Sequence, residues 1–199
     1  MLMTSSKSPR TKQTPTLTAA DWSRAALDFI AAGGVEQVTV EGLARHLGVT
    51  KGSFYWHFAD RSALVVSALD LWEQLGTFDI IVQLQMVRDP KARLRALFET
   101  AFGDLVDGPV DAALVARIDD PIVGPVVRRV TAARVAFLDA VYRELGLSPA
   151  RAAARARIAY STYVGHLHLR RSMPGDRLTT APITAYLRQL VEVLTADVG

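Results

Sequence analysis

From Trp22 onward, apolar residues recur three and four positions apart, the spacing of one face of a helix. Thr18 reads as the cap of a first helix, with Asp21 at its third position and Trp22, Ala25, Ala26, Phe29 and Ile30 on its inner stripe. Gly33-Gly34 ends it. Thr39 caps a short helix from Val40 to Leu47, Gly48 makes the turn and Thr50 caps a second short helix that begins at Lys51. Asp60 caps a long helix from about Arg61 to Val87. Further helices are predicted over 91–106, 110–118, 121–145 and from Ser148-Pro149 to about Arg171, with a break at Pro174-Gly175. A last helix starts near Pro182 and turns Ile183, Leu187, Leu190, Val191 and Leu194 inward. No convincing pair of strands appears. The expected fold is all-α, with about nine helices.

The segment from Thr39 to Arg61 carries the chemistry. Phe54 and Phe58 lie four apart and point into the domain, which turns Tyr55, Trp56 and His57 away from that face. Gly52 and Ser53 keep the start of the second helix slim, so that backbone can approach a groove floor. A lysine at that start, Lys51, suits a guanine edge or a phosphate, and the Trp56 ring suits a thymine methyl. A tyrosine hydroxyl and an imidazole donate to phosphate oxygens, which fixes register without reading sequence. The amide ends at Thr39 and Thr50 suit phosphates. Two short helices with a tight turn and a polar, aromatic-tipped second helix form the arrangement that enters the major groove of DNA.

This segment closely resembles the DNA-binding motif of the tetracycline repressor (TetR) family. The resemblance rests on Leu43-Ala44, Leu47-Gly48-Val49, the run Lys51-Gly52-Ser53-Phe54-Tyr55, the run Trp56-His57-Phe58, Asp60-Arg61 and Leu64, and covers roughly residues 15 to 75. It implies that Thr50, Lys51, Ser53 and Trp56 face bases and that Tyr55, His57 and Arg61 contact phosphates. It implies a flexible basic arm over 1–15, a helix-turn-helix domain over 16–75 with its motif at 39–58, and a ligand-binding and dimerisation domain over 76–199. The family's base-reading positions vary, so the operator sequence does not carry over.

By the same resemblance, the last two long helices pair with those of a second copy. Ala152, Ala156, Ala159 and Tyr163 form an apolar stripe suited to this, and Gly165 leaves a flat spot. Two readers ~34 Å apart then reach successive major grooves of a palindrome. The middle of the chain is expected to enclose a pocket for a small, largely apolar effector, with Trp72, Phe98, Phe102, Arg117, Phe137, Tyr163 and His166 as candidate contacts. Read without the resemblance, each aromatic fits an ordinary core and the helix stripes fit a monomer equally well.

Composition adds bounds. Half of the 199 residues are apolar and the net charge is +3. Residues 1–65 hold seven Lys/Arg and five Asp/Glu, a net of +2, so charge alone does not argue for nucleic acid. Lys7, Arg10 and Lys12, with no acid between them, suit an arm along the DNA backbone, or merely a solvated terminus. The absence of cysteine excludes disulfides and cysteine-based chemistry. No cofactor or metal is implied: His166 and His168 lie two apart on a helix and point in different directions. No stretch has the length of a membrane span, and the opening residues lack the apolar core of a secretory signal, so the expected location is the cytoplasm. Two other functions remain open. One is a small helical enzyme built on His57, His166, His168 and Asp119-Asp120, although no nucleophile–base spacing supports it. The other is a helical adaptor whose hairpin binds protein.

Overall fold

The computed structural model describes residues 17–102, 108–173 and 183–196, and these form ten α-helices and no strand. They are α1 (Ala19–Gly33), α2 (Val40–His46), α3 (Lys51–Tyr55), α4 (Arg61–Glu73), α5 (Asp79–Gln85), α6 (Pro90–Phe102), α7 (Gly108–Val115), α8 (Val123–Glu144), α9 (Pro149–Ser172) and α10 (Ile183–Leu194). The 1–15 arm with Lys7, Arg10 and Lys12, the Leu105 end expected for α6, and the Pro174-Gly175 break lie outside the described residues. So do the side chains of Ile183 and Leu187.

The caps explain where the first helices begin. The Thr18 hydroxyl accepts from the Asp21 amide and the Asp21 carboxylate accepts from the Thr18 amide, closing a capping box. Thr39 Oγ1 accepts from the Gly42 amide at 3.1 Å, and Asp60 Oδ1 accepts from the Ala63 amide at 2.8 Å. Between α2 and α3, Gly48 sits at φ +69°, a left-handed conformation that costs glycine little, and the Val49 amide reaches back to the Ala44 carbonyl at 2.9 Å.

α4 and α5 form one helical rod, as the pattern predicts from Arg61 onward, but the rod is not uniform. Gln74–Phe78 is a π-helical turn in which the Asp79 amide bonds the Gln74 carbonyl five residues back. The expected domain boundary at residue 75 falls in this turn.

Two apolar cores hold the chain together. In the first, Trp22 and Ile30 of α1, Leu43 of α2, Phe54 of α3 and Leu64, Leu69 and Trp72 of α4 pack with Leu114 of α7 and with Val123 to Val130 of α8. Trp22 meets the Phe54 ring edge-on at 5.4 Å, and burying either ring contributes about 1.5–3 kcal/mol. The helix-turn-helix therefore shares its core with α7 and α8. In the second core, Leu94, Phe98 and Phe102 of α6 meet Leu138 to Tyr142 of α8, Ala152, Ala156 and Ala159 of α9, and Leu190 and Leu194 of α10. The alanine stripe of α9, which suits a dimer in the sequence, faces this inner core instead. Gly124 lets α8 begin tight against the preceding loop, because a Cβ there would lie 2.2 Å from the Ile118 carbonyl oxygen.

Arg61 ties the first core to the rod. Its Nε donates to the Val38 carbonyl and its Nη2 to the Val35 carbonyl, both in the connection between α1 and α2. Arg61→Met removes the side-chain donor from both oxygens and leaves the Val35 carbonyl with the Val38 amide alone. Urea or thermal unfolding should show a loss of about 1–3 kcal/mol, whereas an unchanged midpoint would mean that the contacts carry no weight.

Candidate nucleic-acid interface and inner cavity

α3 is built as a protruding edge. Phe54 is fully buried and Phe58 nearly so, and these two rings fasten the helix from beneath, 5.6 Å apart. Tyr55 is 63% exposed and Trp56 88% exposed, the largest exposure of any large apolar side chain among the described residues. Gly52 is exposed, and an added Cβ there would find only the Thr50 hydroxyl, at 3.6 Å. Ser53 and His57 are half-buried, and the His57 ring tilts against Phe58.

Other predicted contacts differ in detail. Thr50 has the extended backbone of an N-cap, but its hydroxyl makes no capping bond. The Thr39 hydroxyl is already used on its own helix. Lys51 is ion-paired with Glu41 of α2, and that hydrogen bond holds the Glu41 carboxyl below its ordinary range. Both groups are exposed, so the pair is weak and exchangeable. Arg61, a phosphate candidate in the sequence, has its guanidinium turned inward onto Val35 and Val38. An arginine at the start of a helix has carbonyls within reach as well as solvent, and spacing does not distinguish the two.

Further along the rod, a cavity of about 300 Å³ opens among the π turn, α5, α6, α8 and α9. Four of the candidate contacts, Phe98, Phe102, Phe137 and Tyr163, line it together with Ile80, Ile81, Leu97 and Tyr160. Three predicted contacts do not. Trp72 is buried behind the wall, and its Nε1 donates to Asp111 Oδ1 at 2.6 Å. Arg117 lies on the surface, paired with Glu36 beyond α1. His166 is buried beside the cavity, stacked at 5.4 Å on Tyr186 and packed against Phe102.

The polar end of the cavity rests on two residues absent from the sequence-based set. Asp111 is 1% exposed. Its Oδ2 accepts from Arg134 Nη1 at 2.7 Å and from the Tyr163 hydroxyl. Arg134 also donates through Nε to Thr77 Oγ1 and through Nη2 to the Gly76 carbonyl, each at 3.0 Å. Its guanidinium lies 5.5 Å from the Trp72 ring centre and 5.8 Å from that of Tyr163, within cation–π range. Burial opposes the charge on Arg134, but Asp111 outweighs it and the pKa rises. Burial and the Asp111 carboxylate together push the Tyr163 hydroxyl up, so it stays protonated. A signal for both residues exists in the sequence. Arg134 interrupts the stripe Val127, Val130, Leu138, Val141 at the position where an apolar residue belongs, and Asp111 is the one charged residue of α7.

A helix-turn-helix fastened to a helical body with an inner cavity defines the class, and the comparisons name it. Residues 24–68 match the model of the bacterial regulatory proteins, tetR family. The HTH-type transcriptional regulator AcrR of Shigella flexneri is 33% identical over 73 residues, 36% of this chain and 34% of that protein; the matched stretch thus spans about a third of its length. A TetR-family transcriptional regulator from Agrobacterium tumefaciens superposes with a TM-score of 0.73 at 25% identity, covering 89% of this chain and 97% of that one. FadR of Bacillus subtilis, whose structure holds stearoyl-CoA, shares the fold at a TM-score of 0.67 and 16% identity, covering 89% and 98%. Residues 24–68 thus carry the DNA-binding part of the bacterial regulatory proteins, tetR family, and the described residues share the fold of such regulators. Each of these similar proteins is named as a regulator.

The histidine beside the cavity generates a pH dependence. Burial lowers the His166 pKa below its ordinary 6.5, and Arg170 adds to the shift. Below that ordinary value the unfolded chain takes up a proton that the folded chain refuses. The stability due to neutral His166 is therefore complete above pH 6.5 and is lost as the pH falls toward the lowered folded-state value. Between pH 7.5 and 5.5 the wild type should lose more unfolding free energy than His166→Phe. Equal losses would show that His166 is not the group responsible.

Proposed function

We propose that this protein is a ligand-responsive repressor that binds a palindromic duplex operator as a dimer and is released by a small, largely apolar effector. The observation that carries the DNA reading is α3. A soluble domain gains nothing from leaving Tyr55 and Trp56 in water at the tip of a slim helix, whereas a major groove supplies both methyl and phosphate partners. Thr50, Lys51, Gly52, Ser53 and Trp56 face the bases, and Thr39, Tyr55 and His57 contact the backbone. Lys51 exchanges Glu41 for the nucleic acid, so its net contribution is the difference between two exposed pairings.

The dimer forms through the last two long helices. On α9 the surface used is the outward one, where Ile158, Gly165 and Leu169 are exposed at seven- and four-residue spacing, rather than the inward alanines. On α10, Val193 is exposed. The effector enters the inner cavity, whose wall is largely apolar and includes the π turn of the rod that carries the reader. A ligand that favours one arrangement of the π turn weakens operator binding by the same coupling free energy, ~1–3 kcal/mol in typical cases. No helix among the described residues is long and apolar enough to cross a membrane, and the cytoplasm is where operator DNA would be met.

Fluorescence anisotropy with the DNA upstream of this gene, and with operators selected from a random library, tests the reading. Wild type should bind one duplex at least about a thousandfold tighter than random DNA. Tyr55→Ala/Trp56→Ala should lose about 1–3 kcal/mol per contact removed with its thermal stability unchanged. A library that yields no preferred duplex would refute the assignment.

A further inference from the structure

The cavity has an electrostatic character that restricts its ligand, an inference that rests on the effector reading above. Its lining includes two charged side chains, Asp111 and Arg134, and they neutralise each other at 2.7 Å. The remaining lining is aliphatic or aromatic apart from the hydroxyls of Thr77, Thr100, Tyr160 and Tyr163. Asp111 has three of its roughly four acceptor sites filled: Trp72 binds Oδ1, and Arg134 and Tyr163 share Oδ2. Arg134 differs. A guanidinium has five N–H groups, and Thr77, Asp111 and Gly76 use one each, so two remain. The Thr77 hydroxyl accepts from Arg134 and keeps its own hydrogen to donate. The polar end therefore offers donors, and the charges of the lining sum to zero among the described residues.

We propose that the cavity selects an uncharged ligand bearing a carbonyl or hydroxyl acceptor on an apolar, preferably aromatic, body, and discriminates against carboxylates and ammonium compounds of the same shape. A neutral acceptor takes the spare donors of Arg134 and Thr77 while its body lies against Phe98, Phe102 and Phe137. A carboxylate at the same place meets the guanidinium, but also the Asp111 carboxylate on its far side, and it leaves the buried site with an uncompensated negative charge. A cation meets the like charge of Arg134, and the Asp111 carboxylate it would need is already neutralised by that arginine. Tyr163, held protonated, supplies no alternative anion.

Three probes of one skeleton decide this. Hydrocinnamamide, hydrocinnamate and hydrocinnamamidine differ in the charge of a single planar end group. They are titrated calorimetrically into the full chain at pH 7. The amide should bind at least about tenfold tighter than either ion, the minimum set by an uncompensated buried charge. Ala101→Trp, which fills the cavity, should abolish that binding and so locate the probe. Asp111→Asn removes the internal counter-charge, and the preference should invert in favour of hydrocinnamate by about tenfold. The wild-type ranking decides the matter even if that variant does not fold. Hydrocinnamate or the amidine binding as tightly as the amide overturns the neutral-ligand assignment and leaves the cavity a binding site. No binding by any of the three, with operator affinity also unmoved, overturns the effector reading itself and this inference with it.

Discussion

The Asp111 carboxylate is where the helices of the body meet. It stands on α7 and binds Trp72 at the end of α4, Arg134 in the middle of α8 and Tyr163 on α9. Through Arg134 it reaches Gly76 and Thr77 in the π turn. A charge this deeply buried cannot be left unpaired, since removing one member of such a pair typically costs about 3–5 kcal/mol. Replacing the whole group by apolar residues is often neutral, so the pair is poorly explained as a device for stability alone. What it does supply is direction. Each partner accepts one orientation, which fixes how four helices and a turn stand relative to one another.

That arrangement places the two ends of α4 in different neighbourhoods. Arg61, at its start, holds the carbonyls that shape the connection into the helix-turn-helix. Trp72, at its end, backs the cavity wall. A thirteen-residue helix joins them over ~20 Å. Glu73 adds a second anchor through a bidentate pair with Arg129 of α8, and Glu36 a third through Arg117. The first core extends from α1 into α8, so the reader and the cavity wall belong to one packed body. The rod is thereby seated at both ends.

Much of this was legible in the sequence, for physical reasons. The caps at Thr18, Thr39 and Asp60, the turn glycine Gly48 and the inward pair Phe54 and Phe58 depend on neighbours within four residues, which spacing reveals. The exposed tip at Tyr55 and Trp56 follows from the same periodicity. The cavity was legible only as a region. Phe98, Phe102, Phe137 and Tyr163 line it but Trp72, Arg117 and His166 do not, because residue type does not say which face of a helix meets a void. Asp111 and Arg134 are not legible as a pair in the sequence, because each looks like a fault in an apolar stripe until its partner, 23 residues away, is in place. The inward alanines of α9 show the converse: a stripe of small residues marks close helix packing without saying whether the neighbour lies in the same chain.

The π turn has a consequence for how this chain tolerates changes of length. Such a turn is an α-helical turn with one residue too many. Deleting one residue within Gln74–Phe78 would restore ordinary helical pairing while leaving the flanking helices in phase, so Trp72 would still face Asp111 and Ile80 would still face the cavity. The same deletion a few residues earlier would rotate one part of α4 by ~100° relative to the other, carrying either Arg61 or Trp72 away from its partners. In relatives that differ in length here, a gap is therefore most readily absorbed at this turn, in the stretch that Arg134 grips through the Gly76 carbonyl.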